Sequence, residues 1–261
     1  MMIQPTMRSV TWFAIRMMAA LMLAGIAFGA AAEEGMHLDH APINERDALS
    51  LQRGARLFTN YCLSCHSAKY MRYNRLHDIG LTDKEIENNL IFTGVKVGDE
   101  MKVAMDSKDA ANWFGKAPPD LSVIARSLSE GHNGADFLYT YLRSFYRDPK
   151  RPTGWNNVVY PNVAMPNVLW QLQGVQVLKT EKVSGSGGKQ EEVHKLVLAK
   201  PGTMTPMEYD QAVADLVNYL VYQSEPVRLE RQTIGIYVLI FLAIFLLLAY
   251  LLKREYWKDV H

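Results

Sequence analysis

Apolar side chains recur at helical spacing in the last quarter of the chain. Tyr209, Ala212, Val213, Leu216, Val217, Leu220 and Val221 share one face, which predicts an amphipathic helix. Thr205-Pro206-Met207-Glu208 opens it as a capping box with proline at the first helical position, and Met207 is assigned to packing. A second amphipathic helix is predicted over residues 46–61, with Leu51, Ala55, Phe58 and Cys62 on one face. Phe137, Tyr141, Leu142 and Phe145 mark a third, stopped before Pro149. Thr82-Asp83-Lys84-Glu85 is another capping box, opening a short helix to about Ile91. Ala117-Pro118-Pro119-Asp120-Leu121-Ser122 reads as a stiff turn into a helix running to about Leu128. Alternating runs at 175–183 and 193–198, joined by a Ser/Gly turn, predict a β-hairpin with no assigned function. Residues 150–167 form a long Pro/Asn-rich loop, as functional loops often are.

The two ends follow other patterns. Residues 234–252 are uncharged and apolar, long enough at about 1.5 Å per residue to span a hydrocarbon core. Arg228 and Arg231 precede this run, and Lys253, Arg254, Tyr256, Trp257 and Lys258 follow it, a transmembrane flank pattern. At the N-terminus, Arg8 and Arg16 precede an uncharged Ala/Met/Leu segment ending in Ala30-Ala31-Ala32 before Glu33. That reads as an export signal with a processing site, the alternative being an uncleaved membrane anchor. The expected organisation is a signal peptide over 1–32, a periplasmic domain over 33–230, an anchor over 234–252 and a cytoplasmic tail over 253–261. The export signal sets this orientation, since basic residues flank the anchor on both sides.

The net charge of +1 over 261 residues gives no basic stripe, so nucleic acid is excluded as a partner. The chain has two cysteines, both in Cys62-Leu63-Ser64-Cys65-His66. Cys-x-x-Cys-His is the haem-attachment pattern. Each thiol adds across one vinyl group and the adjacent histidine is placed under the iron. Structural zinc needs more ligands. A thioredoxin-like site needs a strand before the motif, whereas a helix enters it here. One covalently bound haem c is expected, on Cys62 and Cys65, with His66 as an axial ligand.

A methionine at the sixth position raises the reduction potential. Met165, in Tyr160-Pro161-Asn162-Val163-Ala164-Met165-Pro166, is the leading candidate, because a proline-stiffened loop holds a thioether without helical constraints. Met101, Met105 and Met204 remain alternatives, as does a bis-histidine arrangement through His77 or His132.

These features together resemble the cytochrome c1 family, the haem subunit of cytochrome bc1 complexes. The resemblance lies in Arg53-Gly54 through Cys62-Leu63-Ser64-Cys65-His66-Ser67, in Pro118-Pro119-Asp120-Leu121-Ser122 with Arg126, in Ala164-Met165-Pro166, and in Glu225-Pro226 followed by a single anchor and basic tail. It implies a mainly α c-type cytochrome domain carrying a small hairpin insertion and one C-terminal transmembrane helix. It implies a role for Arg126 near a haem propionate and for Pro119 in the haem pocket. The implied partners are cytochrome b, a Rieske iron–sulfur protein, and cytochrome c or an equivalent acceptor. The implied location is the inner membrane, with the haem domain in the periplasm. A long acidic docking run is absent, leaving scattered acids such as Asp78, Asp83, Glu85 and Glu87 to steer a basic partner. The competing readings are a tethered monohaem carrier or oxidase subunit, and a haem peroxidase.

Overall fold

The structure, a computed structural model, describes residues 38–128, 133–184 and 190–259. The export segment, His132 and the hairpin's Ser/Gly turn lie outside those residues. The first helix, α1 (Ala48–Leu57), starts where the Asp47 side chain accepts the Ser50 backbone N–H. It begins two residues later than the apolar spacing predicts because this cap defines its first turn. Its end widens into a π turn, Phe58–Cys62, closed by Leu63 N–H to the Phe58 carbonyl at 2.9 Å.

Next come β1 (Ala68–Arg72), a 3₁₀ turn (Tyr73–Ile79), α2 (Asp83–Asn89), β2 (Glu100–Met101), α3 (Ser107–Phe114), α4 (Ile124–Ser127) and α5 (Gly134–Arg143). Then follow β3 (Phe145–Arg147), β4 (Trp155–Asn157), α6 (Trp170–Gln173), β5 (Gly174–Ser184), β6 (Gln190–Pro201), α7 (Pro206–Ser224) and α8 (Arg228–Tyr256). The strands form separate antiparallel pairs, β1–β2, β3–β4 and β5–β6. The fold is mainly helical, with a hairpin insertion and one apolar C-terminal helix, as expected.

The core forms where α1 crosses α7. A Cβ on Gly54 would lie 2.1 Å from the Asp215 carbonyl oxygen and 2.6 Å from Tyr219 Cβ, so only glycine permits this approach. The contact is tied by a buried polar cluster. Arg53 donates from Nε and Nη2 to the two Asp215 oxygens at 2.6 and 3.0 Å, and Ser50 Oγ donates to Asp215 Oδ1 at 2.7 Å. Asn218 Nδ2 donates to Ser50 Oγ and to the Asn44 carbonyl. Leu51, Ala55 and Phe58 pack there against Val213, Leu216, Val217 and Tyr219. The expected pairing of entering and terminal helices is therefore present.

Phe145 departs from the expected third helix. Ser144 N–H and Asn157 Nδ2 both donate to the Tyr141 carbonyl, which ends α5 and turns Phe145 into a strand paired with Asn157. The loop over 150–167 accordingly contains β4. Met207 is also placed differently: it is 82% exposed at the start of α7 rather than packed. The hairpin pairs Val177 with Val197 and Leu178 with Leu196. Its base is held by Gln176 Nε2, which donates to the Arg143 and Phe145 carbonyls. α8 is long and apolar enough to cross a membrane, with a mean hydropathy of 2.8 over its most apolar window and no buried residue. A core helix of a soluble domain would be covered; this one is not.

Candidate haem site

The π turn delivers Cys62 to the end of α1, and the chain then folds back on itself. Cys65 N–H and His66 N–H both donate to the Cys62 carbonyl, at 3.0 and 2.8 Å. The two cysteines are unpaired thiols, Cys62 buried and Cys65 partly exposed. Burial, with a smaller contribution from neighbouring Cys65, pushes the Cys62 thiol up to about 12.

The ring of His66 lies 2.7 Å, Nδ1 to oxygen, from the Pro119 carbonyl. A carbonyl only accepts, so Nδ1 carries the hydrogen and Nε2 keeps its lone pair for a metal. Burial lowers the pKa of His66, partly opposed by the Pro119 bond and the Asp120 charge, which keeps the imidazole neutral as a ligand must be. Pro119 is thus brought to the motif, through its backbone.

The segment after Pro119 is stitched alongside the residues after His66. Leu121 N–H donates to the Ser67 carbonyl at 2.8 Å, Lys69 N–H to Asp120 Oδ2 and Tyr70 N–H to Ser122 Oγ. Asp120 Oδ1 in turn accepts from Ser122 N–H and Oγ. The Pro-Pro-Asp-Leu-Ser motif is therefore a brace that fixes the histidine's orientation from 53 residues away.

Met165 sits, partly exposed, in a second apolar cluster with Phe145, Trp155 and Val163, and Tyr141 packs against both this cluster and the main core. Its loop is held by amide side chains. Asn156 Oδ1 accepts from the Asn157 and Asn162 backbone N–H groups, and Asn157 Oδ1 from those of Val159 and Tyr160. Arg151 grips the Asn162 carbonyl and side chain. Asn167 donates to Gln173, which donates to the Arg143 carbonyl. The Asn-rich composition was the available signal for this bracing.

The rival ligands fare differently. Met101 is fully buried, with Tyr219 Oη donating to its sulfur at 3.6 Å. Met204 packs against the core. His77 pairs with Asp83 at 2.7 Å. Arg126 is exposed at the end of α4, and with Asn44, Glu45, Glu225 and Arg228 it lines a cleft of about 470 Å³. It is one of the cations, after the dominant Arg231 hydrogen bond, that hold Glu225 below the usual carboxylate range.

The residues present fit a covalent haem: two free thiols at the required spacing, an imidazole with one nitrogen anchored and the other available, and a loop-borne thioether. Fold and site together define a monohaem c-type cytochrome. The Cytochrome C1 family profile matches residues 39–260, and the chain belongs to that family, whose members bind one covalent haem c. Over 245 residues it is 51% identical to the ammonia monooxygenase gamma subunit of Nitrosomonas europaea, covering 94% of this chain and 97% of that protein. Over 228 residues it is 49% identical to the cytochrome c1 of Allochromatium vinosum, covering 87% and 91%. It is 25% identical to the cytochrome b/c1 of Bradyrhizobium diazoefficiens, over 84% of this chain and 34% of that longer protein.

Proposed function

We propose that this chain is the haem-bearing electron-transfer subunit of a quinol–cytochrome c reductase. It accepts electrons from a Rieske iron–sulfur protein and passes them to a cytochrome c or equivalent. When bound, haem c supplies reversible one-electron chemistry. The chain's own residues do the rest. Cys62 and Cys65 fix the porphyrin through thioethers. His66, with Nδ1 held by Pro119, presents Nε2 to the iron. Met165 would supply the second protein ligand to the iron, and an iron held by two protein ligands would not take up substrate, which argues against a peroxidase. Arg126, by resemblance to the family, neutralises a propionate. The segment 234–252 anchors the domain on the periplasmic side, after removal of residues 1–32.

The observation that carries this reading is the His66–Pro119 bond, which commits the imidazole of a Cys-x-x-Cys-His motif to a metal-ready tautomer. Cytochrome b is the expected neighbour of the anchor, and the name of the Bradyrhizobium relative, cytochrome b/c1, supports that pairing. A second reading comes from the name of the Nitrosomonas relative: a subunit of an oxygenase. Purification of the affinity-tagged chain from detergent-solubilised membranes separates the two. Cytochrome b and a Rieske protein should co-purify with quinol-dependent cytochrome c reduction. Recovery with oxygenase subunits and without cytochrome b would overturn the reductase assignment.

A further inference from the structure

We propose that Tyr141 is a positioning residue for the Met165 thioether: its hydroxyl engages one sulfur lone pair, directs the other toward the iron, and raises the reduction potential. This rests on Met165 being the sixth ligand.

Tyr141 Oη donates to Met165 Sδ at 3.5 Å, across 24 residues of chain. A thioether has two lone pairs and accepts hydrogen bonds weakly, so a hydroxyl on one leaves the other free and sets its direction. The donor is itself fixed. Its ring stacks on Phe137 at 6.0 Å and 11°, and meets Phe145 edge-on at 5.0 Å and 68°. Its carbonyl is the acceptor that ends α5, bonded at 2.8 Å to Asn157, the residue that also braces the methionine loop. Helix, loop and sulfur are thereby registered through one residue.

Met101 provides the contrast. Tyr219 makes the equivalent bond to its sulfur, but that thioether is fully enclosed in the core, whereas Met165 is partly exposed in its loop. The electronic consequence follows from the bond itself. A donor on sulfur withdraws density that would otherwise stabilise the electron-poor ferric iron, so the ferrous state gains relative to it. Hydrogen bonding to a ligand is one of the levers by which proteins set a haem potential.

The test uses the full-length haem-loaded protein, with Tyr141→Phe, Tyr141→Leu and Met165→Leu compared with wild type. The readouts are midpoint potential, the methionine–iron charge-transfer band, and imidazole binding to the ferric form. Tyr141→Phe keeps the ring stack and should keep the band. Its reduction equilibrium constant should fall about three- to tenfold, which is ~30–59 mV for one electron, and imidazole should bind several-fold more weakly. A Tyr141→Phe potential equal to or above wild type, with only Tyr141→Leu shifted, would reduce Tyr141 to a packing residue and overturn the proposal. Persistence of the band in Met165→Leu would instead overturn the ligand assignment on which the proposal stands. The two failures are distinct in the same data set.

Discussion

At the scale of single residues, the site separates what attaches from what aims. Cys62, Cys65 and His66 fall within five consecutive residues; the loop that bears Met165 is held by the side chains of Asn156 and Asn157 on β4 and of Arg151 before it. Met165→Leu should therefore abolish the methionine–iron band while the haem stays covalently attached, checked by absorption spectra and by haem staining of the denatured chain. Asn157 is 1% exposed, and its side-chain oxygen accepts from Ser144 Oγ as well as from two loop N–H groups. Removing it leaves buried donors unmatched, at about 1–3 kcal/mol. Asn157→Ala should lower thermal stability and let imidazole displace the thioether more easily, the opposite sign to that expected for Tyr141→Phe. The motif cysteines and histidine were legible in the sequence because the haem's own dimensions impose their spacing. The stiff frame of the loop that carries Met165 was legible because prolines mark it. The bond from Pro119 was legible only through family resemblance, and the bond from Tyr141 not at all. Both depend on where a helix ends and a strand begins, and apolar periodicity fixes those boundaries poorly: Phe145 continues the helical spacing of α5 yet belongs to β3.

At the scale of elements, the domain is clamped by one close helix crossing and by capped helix starts. Gly54→Ala puts a methyl 2.1 Å from a backbone carbonyl that cannot rotate away. The helices must separate, at about 3 kcal/mol or more. Since α1 runs through the π turn into the Cys62–His66 segment proposed to hold the haem, a low yield of haem-loaded protein, read by pyridine haemochrome per milligram, is the expected outcome. The α7 cap is a gentler case. The Thr205 side chain accepts from Glu208 N–H, and the Glu208 carboxylate accepts from Thr205 N–H and Oγ. These bonds, the backbone one foremost, lower the pKa of Glu208 below 4.5. A depressed carboxylate contributes stability that is present above the unfolded value and lost as pH falls through the folded one. Thr205→Ala should cost about 1 kcal/mol at neutral pH, roughly 2–4 °C in melting temperature for a domain of this size. It should also flatten the loss of stability as pH falls through the carboxylate range, because the bonds that depress Glu208 are gone; a melting series across pH reads both effects. Capping boxes were visible in sequence because all their members lie within four residues. The β1–β2 pair was not, since its partners lie about thirty residues apart and carry no alternation.

For the whole molecule, the question is whether the C-terminal helix belongs to the domain or only tethers it. No residue of α8 is buried, and its ties to the domain are made near its start, by Arg228 to Glu45 at 2.8 Å and Arg231 to Glu225 at 2.5 Å. Residues 234–252 therefore contribute nothing to the core, and their exposed apolar surface has no aqueous counterpart. Truncation after Glu230 keeps the Arg228 pair and loses the Arg231 pair, a surface contact worth at most about 1 kcal/mol. The truncated chain, exported and matured, should be soluble, red and haem-bearing. Its methionine–iron band should be unchanged, and its melting temperature should lie within roughly 4 °C of that of the detergent-solubilised parent. The charge-transfer band is the decisive measurement, because the cluster around Met165 lies on β3, β4 and their loop, none of which touches the deleted segment through any bond described. A fragment that needed detergent would mean that another part of the chain binds the membrane. A fragment that stayed soluble but lost the band would mean that the anchor helps to hold the haem site together, and a simple tether cannot do that.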